Sequence, residues 1–214
     1  MCGIAGILNL AEAPPPEETL IRSMLGMIRH RGPDQFGLYL GAQVALGNAR
    51  LSIIDLGGGQ QPIGNEDQTL WIVYNGEIYN YVELRAELEA RGHRFVTHTD
   101  TEVILHLYED LGPECLSRLN GQWALAIWSE RDRSLFLARD RLGVRPLFHT
   151  ETGGRLVFGS EIKAIFADPT VRRALDPVGL DQVFTFWGAL APRTCFEGIR
   201  ELPPRAEYIR TIIA

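Results

Sequence analysis

Cysteine is scarce in this chain: 214 residues hold only Cys2, Cys115 and Cys195. An odd number without paired spacing argues against a disulfide framework and against a thiolate zinc cluster, and it suits a reducing cytoplasm. Positive charge is also in deficit, with 21 Lys and Arg against 27 Asp and Glu and a formal net charge of -6. No basic field is present to attract a phosphate backbone, so nucleic acid is not an expected partner. No apolar run approaches the roughly eighteen residues of a membrane span. The apolar run at residues 3–10 has no basic segment before it, and Glu12 and three prolines follow it, unlike a signal peptide. Gly57-Gly58-Gly59 is not followed by Gly-Lys-Ser/Thr and reads as a turn, not a phosphate loop. The histidines at 30, 93, 98, 106 and 149 show no metal-ligand spacing such as His-Glu-x-x-His, so no metal site is expected. No internal repeat is evident.

What remains is an ordinary globular composition, 45% hydrophobic and 22% charged, at a length that fits one large domain. Ile21, Met24, Leu25 and Ile28 fall at i, i+3, i+4, i+7 and predict a helix that opens near Glu17-Glu18 and runs until Gly32-Pro33 stops it. Residues 44–54 read as two short strands around Gly47-Asn48. The continuous run Leu70-Trp71-Ile72-Val73-Tyr74 predicts a strand buried on both faces. Asn80-Tyr81-Val82-Glu83 and Thr99-Asp100-Thr101-Glu102 resemble capping boxes ahead of two helices, which Gly92 and Gly112-Pro113 close. Apolar strands at 123–128 and 135–138 flank the charged Glu130-Arg131-Asp132-Arg133 and read as a hairpin, and weaker helices are expected near 160–168 and 176–186. Strands grouped with intervening helices, without regular βαβ alternation, predict an α+β layered domain with sheets covered by helices.

The opening Met1-Cys2-Gly3-Ile4 raises a chemical question. A lone cysteine is by default a small buried hydrophobe. If Met1 is removed, however, Cys2 carries a thiol and a free amine on one carbon, with reference pKa values of about 8.5 and about 7.7–8.0. Such an amine can serve as general base for its own side chain, which suits attack on an amide or ester carbonyl. The resulting oxyanion requires preorganised donors. Asn75-Gly76 could supply a side-chain amide and an unobstructed N–H, although as a dipeptide Asn-Gly is a stronger signal for a hairpin turn. An amino-acid substrate requires a cation and carboxylates, for which Arg50, Glu77 and Asp100 are candidates, while charged residues at element ends are ordinarily caps or solvated pairs.

Taken together, the stretches Met1-Cys2-Gly3-Ile4, His30-Arg31-Gly32-Pro33-Asp34, Arg50-Leu51-Ser52-Ile53-Ile54-Asp55 and Tyr74-Asn75-Gly76-Glu77-Ile78-Tyr79-Asn80 resemble one family. So do Asp100-Thr101-Glu102-Val103, Ala138-Arg139-Asp140-Arg141-Leu142-Gly143 and Phe158-Gly159-Ser160-Glu161-Ile162-Lys163-Ala164. The family is the glutaminase domain of class II glutamine amidotransferases, among the N-terminal nucleophile hydrolases, in the form found in glutamine-hydrolysing asparagine synthetases. The resemblance implies a four-layer αββα sandwich of two antiparallel sheets between helices, and hydrolysis of L-glutamine to glutamate and ammonia through a thioester. By position it implies Cys2 as nucleophile, Asn75 and the Gly76 N–H as oxyanion hole, and Arg50 on the α-carboxylate. It further implies Glu77 and Asp100 on the α-ammonium, with the backbone of Leu51, Ile53 and Ile54 lining the pocket.

The resemblance assigns residues 1–200 to the glutaminase domain and 201–214 to a tail at which a synthetase domain would begin. It implies no cofactor for the glutaminase half; ATP and Mg belong to the synthetase half. A glycine is expected after Pro204, where Arg205 stands, and a Ser-Gly-Gly-x-Asp-Ser loop beyond it is not present; Gln35 also replaces a more usual acidic residue. The chain as it stands is thus expected to release ammonia without making asparagine, as a fragment or a free-standing subunit. The implied partner is a synthetase domain or subunit in the cytoplasm, with a homodimer left open. Two alternatives keep the fold: a catalytically silent docking or regulatory domain, and a domain serving polysaccharide or natural-product amidation.

Overall fold

The computed structural model describes residues 1–212. In chain order its elements are β1 (Gly3–Asn9), α1 (Glu18–Met27), β2 (Gln35–Leu40), β3 (Val44–Arg50), β4 (Ile63–Gly64), β5 (Leu70–Ile78), α2 (Tyr81–Arg91) and α3 (Asp100–Leu111). There follow β6 (Gly121–Ser129), β7 (Ser134–Arg139), β8 (Phe148–Thr152), β9 (Arg155–Gly159), α4 (Ile162–Ile165), α5 (Pro177–Phe186), β10 (Arg200–Glu201) and β11 (Glu207–Thr211). One sheet has the order β10-β8-β9-β1-β3-β2 and the other β11-β7-β6-β5-β4, all neighbours antiparallel.

Alternation along each strand sorts the core into three apolar layers. Between the sheets, Ile4, Leu8, Leu46 and Phe158 of the first meet Val73, Ala126, Trp128 and Leu137 of the second. On the outer face of the first sheet, Ala5, Ile7 and Ala45 receive Ile21, Met24 and Leu25 of α1. On the outer face of the second, Ile72, Leu125, Ile127 and Phe136 receive Leu84 and Leu88 of α2 and Val103, Ile104 and Leu107 of α3. The result is the expected αββα order of layers. Both faces of the central strands are covered, which is why they read as unbroken apolar runs rather than as alternation.

Several local expectations differ from what is observed. Residues 44–50 form one strand, not two, because β3 pairs without a break with β1 over residues 44–49 and with β2 over residues 45–50. Gly47 sits inside it as a point of close approach: a Cβ there would lie 2.9 Å from Leu25 Cδ1. The first helix ends at Met27, and a 3-10 turn over Arg29–Arg31 carries the chain to Gly32. Asn80 caps nothing; its side chain donates to Arg118 O at 3.0 Å and accepts from Asn120 N at 2.9 Å. Thr99 does cap α3, accepting from Glu102 N, but Glu102 reaches back to the N–H groups of Val96 and Thr97 at 2.8 and 2.7 Å. Beyond these differences, β10 pairs with β8, and β11 forms the edge next to β7. Residues 213–214 of the expected tail lie outside the described residues. The three cysteines are free, and no helix among the described residues is long and apolar enough to cross a membrane.

Candidate active site

The register of the first sheet places Cys2 against Arg50, because Gly3 pairs with Ala49. Cys2 is held from three sides. Arg31 Nε donates to its carbonyl oxygen at 3.0 Å, Ser160 Oγ accepts from the following Ile4 N at 3.0 Å, and its own Sγ–H points to Leu51 O at 3.6 Å. Glu161 Oε1 in turn receives Arg31 and His30, each at 2.9 Å. The motifs at 30–34 and 158–164 thus meet behind Cys2 and fix its backbone. Burial pushes the Cys2 thiol above its ordinary value, offset in part by the Leu51 hydrogen bond, so it stays protonated near neutrality until a base takes the proton.

All nine residues expected at the site line one pocket: Cys2, Arg50, Leu51, Ile53, Ile54, Asn75, Gly76, Glu77 and Asp100. Asn75-Gly76 is not a turn. It lies inside β5, where Asn75 pairs with Ala124 and Gly76 with Trp123. Two side-chain contacts fix the direction of the neighbouring amides: Tyr74 N donates to Gln61 Oε1 at 2.6 Å and Ile78 N donates to Asp100 Oδ2 at 3.0 Å. Both N–H groups therefore point away from β6. By the two-residue period of a strand, the Gly76 N–H between them points the same way. Glycine is demanded here by space, since a Cβ would lie 2.2 Å from Gln122 O. Asn75 is buried, and its Nδ2 has no hydrogen-bond partner among the described residues. Buried amide donors are rarely left unpaired. This pocket therefore presents an unspent side-chain donor beside an outward backbone N–H, the pair an oxyanion needs.

The charged groups are arranged less simply. Asp100 Oδ2 accepts from Tyr74 Oη at 2.9 Å as well as from Ile78 N, and burial raises its carboxyl above the ordinary range despite those bonds. A ligand ammonium beside it would oppose that shift. The Glu77 side chain has no hydrogen bond or ion pair among the described residues. Arg50 is buried and its guanidinium is largely committed: Nη1 donates to Gln35 Oε1 and Gly58 O at 2.8 and 2.7 Å, and Nη2 to Ile54 O and Asp55 O at 2.8 Å each. It ties the 51–59 loop over the pocket. A two-point grip on a carboxylate would require Arg50 to exchange at least one of these oxygens for the ligand.

Sequence reasoning missed Gln61, Tyr74, Thr99, Thr101 and Arg145, which also line the pocket. Gln61 links both sheets and α3: its Oε1 accepts from Asn48 Nδ2 of β3 at 3.1 Å as well as from Tyr74 N of β5, and its Nε2 donates to Thr101 Oγ1 of α3 at 3.3 Å. Arg145 is brought in by the motif at 138–143. Asp140 accepts from the N–H groups of Leu142, Val144 and Arg145, each at 3.0 Å, and Arg139 Nε donates to Arg145 O at 2.7 Å. The motif is a brace for a loop whose pocket-lining residue, Arg145, lies two positions beyond it.

The family model described as a glutamine amidotransferase domain matches residues 1–211. Asparagine synthetase [glutamine-hydrolyzing] 3 of Bacillus subtilis (strain 168) is 42% identical over 207 residues, covering 95% of this chain and 34% of its own length. Asparagine synthetase [glutamine-hydrolyzing] 1 of the same organism is 41% identical over 211 residues, covering 97% and 33%. The chain thus spans about a third of the length of these relatives. Among solved structures, glutamine phosphoribosylpyrophosphate amidotransferase from B. subtilis, complexed with ADP and GMP, superposes with a TM-score of 0.66 at 26% identity. That match covers 82% of this chain and 46% of the other. An allosteric regulatory enzyme of purine biosynthesis gives 0.67 at 27%, covering 82% and 45%.

Proposed function

The chain belongs to the glutamine amidotransferase domain family, and from that premise we propose that it hydrolyses the side-chain amide of L-glutamine through a thioester on Cys2. The observation that carries this reading is the orphaned Asn75 Nδ2 beside the outward Gly76 N–H in the Cys2 pocket. Excision of Met1 frees the Cys2 amine, which takes the thiol proton as Sγ attacks the amide carbon. The new S–C bond turns the carbonyl oxygen into an oxyanion received by Asn75 and Gly76, each donor being worth about 3–4 kcal/mol in comparable sites. The proton passes to the departing nitrogen, the C–N bond breaks and ammonia leaves. Water then attacks the thioester and returns Cys2 and glutamate.

Asp100 and Glu77 receive the α-ammonium and Arg50 the α-carboxylate, with Leu51, Ile53 and Ile54 as wall. The reaction calls on no cofactor in this half. The ammonia acceptor is an asparagine-synthetase-like domain or subunit in the cytoplasm, which carries its own ATP and Mg chemistry. Intact-protein mass after treatment with an electrophilic glutamine analogue tests the reading. Loss of Met1 with one adduct on Cys2 is expected. Retention of Met1, or a folded chain without adduct, would leave the silent docking domain instead.

A further inference from the structure

Away from this pocket, four side chains from three parts of the chain converge at α3. Glu66 comes from the connection between β4 and β5, His93 from the connection between α2 and α3, and His106 and Glu109 from one face of α3 itself. One ligand atom from each lies within 4.8 Å of all the others. His106 Nδ1 is 3.2 Å from Glu66 Oε2 and 3.6 Å from Glu109 Oε2, and His93 Nδ1 is 3.2 Å from Glu66 Oε1. Tetrahedral coordination at bonds of about 2.1 Å sets ligand atoms about 3.4 Å apart.

His106 is 1% exposed, yet neither ring nitrogen makes a hydrogen bond of acceptable direction among the described residues. A buried imidazole in that condition carries an unmet demand for a partner. Each histidine also has its far nitrogen turned to a carboxylate: His93 Nε2 is 3.2 Å from Asp110 Oδ1, and His106 Nε2 is 3.6 Å from Glu102 Oε1. Carboxylate–histidine–metal arrangements fix tautomer and ring orientation in this way. The carboxylates are oriented too, since Asn65 Nδ2 donates to Glu109 Oε1 at 3.1 Å and Arg94 N to Glu66 Oε1 at 3.0 Å. A surface recess lined by Glu66, His93, Glu109 and Asp110 provides the way in.

We propose that Glu66, His93, His106 and Glu109 form a structural divalent-metal site, of a chemistry that favours Zn2+, which pins the two connections to α3. Two imidazoles with two carboxylates suit borderline zinc better than oxygen-only Mg2+ or Ca2+ sites. Sequence spacing hides the set, because its histidines are thirteen residues apart and its first ligand comes from before β5.

The test is titration of the full chain, stripped with chelator and dialysed, with Co2+ followed by visible absorption, Zn2+ competition and thermal melting. The expected result is one Co2+ per chain with the intense visible bands of a four-coordinate site, displacement by Zn2+, and a higher Tm in metal. His93→Gln should weaken binding by at least about 100-fold and Asp110→Asn by about 10–100-fold. If His93→Gln fails to fold, Glu66→Gln replaces it. Absence of saturable binding at millimolar Co2+, or equal binding by parent and folded ligand variant, would overturn the proposal. Cys2 labelling by the glutamine analogue is read separately and does not depend on this outcome.

Discussion

Arg31 donates its Nε–H to the carbonyl oxygen of Cys2 at 3.0 Å, so a guanidinium from the turn after α1 holds the backbone of the residue proposed as nucleophile. That guanidinium is itself held by Glu161, which also receives Lys163 Nζ at 2.9 Å. Burial works against ionising Glu161, but the bonds from Lys163, Arg31 and His30 outweigh it and bring its carboxyl from 4.5 down to about 2. Because the folded value is the lower one, the stabilisation is present above pH 4.5 and is lost as pH falls from there toward 2. Resistance of the parent to urea should weaken as pH falls through that window. Glu161→Gln should remove this part of the acid dependence and lower kcat several-fold at neutral pH with little change in KM, since it loosens Cys2 without touching the amino-acid subsite.

Asn75→Ala separates catalysis from stability. Oxyanion donors act on the transition state, so kcat should fall about 100- to 1000-fold while KM stays within a few-fold. Its Nδ2 has no partner to lose, so removing it also removes a buried, unsatisfied group. Unfolding free energy should therefore fall by no more than about 1 kcal/mol. A loss of both activity and several kcal/mol would mean the amide is structural.

The layers of this fold were readable from sequence because each is a matter of period. The i, i+3, i+4, i+7 face of α1 and the unbroken run in β5 each state what they pack against. Asn75-Gly76 was ambiguous as a dipeptide, since the same pair favours tight turns; what decides it is the pairing with β6, a contact some fifty residues away. Six of the nine residues proposed for the site were open candidates on local chemistry, and the family resemblance singled them out and added Leu51, Ile53 and Ile54. Arg145 stayed hidden because its approach depends on bonds from Arg139 and Asp140, and the Asn80 cap failed because its side chain has partners near residue 118. Local rules carry local structure; convergence of distant segments leaves no periodic trace.

Gly76→Ala tests the close approach inside β5. A Cβ at this position would meet Gln122 O at 2.2 Å and Trp123 Cα at 2.8 Å, both backbone-borne and unable to swing aside. Overpacking of this kind ordinarily costs about 1–3 kcal/mol, and a backbone clash belongs at the upper end. The variant should show a lower urea midpoint with an unchanged denaturant slope, together with loss of Cys2 labelling as the strand shifts. Parent-like stability would show that β5 and β6 can separate locally without cost.

Arg50→Lys asks whether the buried guanidinium serves the loop, the ligand or both. Lysine keeps the charge but has three donors and no planar fork, so it cannot reproduce four bonds to Gln35, Ile54, Asp55 and Gly58. If Arg50 receives the glutamine carboxylate by giving up loop oxygens, KM should rise by about tenfold, because lysine keeps the charge but loses the two-point fork. The 51–59 loop should also become more sensitive to limited proteolysis, and saturating glutamine should protect the parent chain less than it protects the variant, because in the parent the ligand competes with the loop for one guanidinium. A variant with raised protease sensitivity but unaltered KM would confine Arg50 to the loop and leave the carboxylate to another cation, for which Arg145 stands in the same pocket.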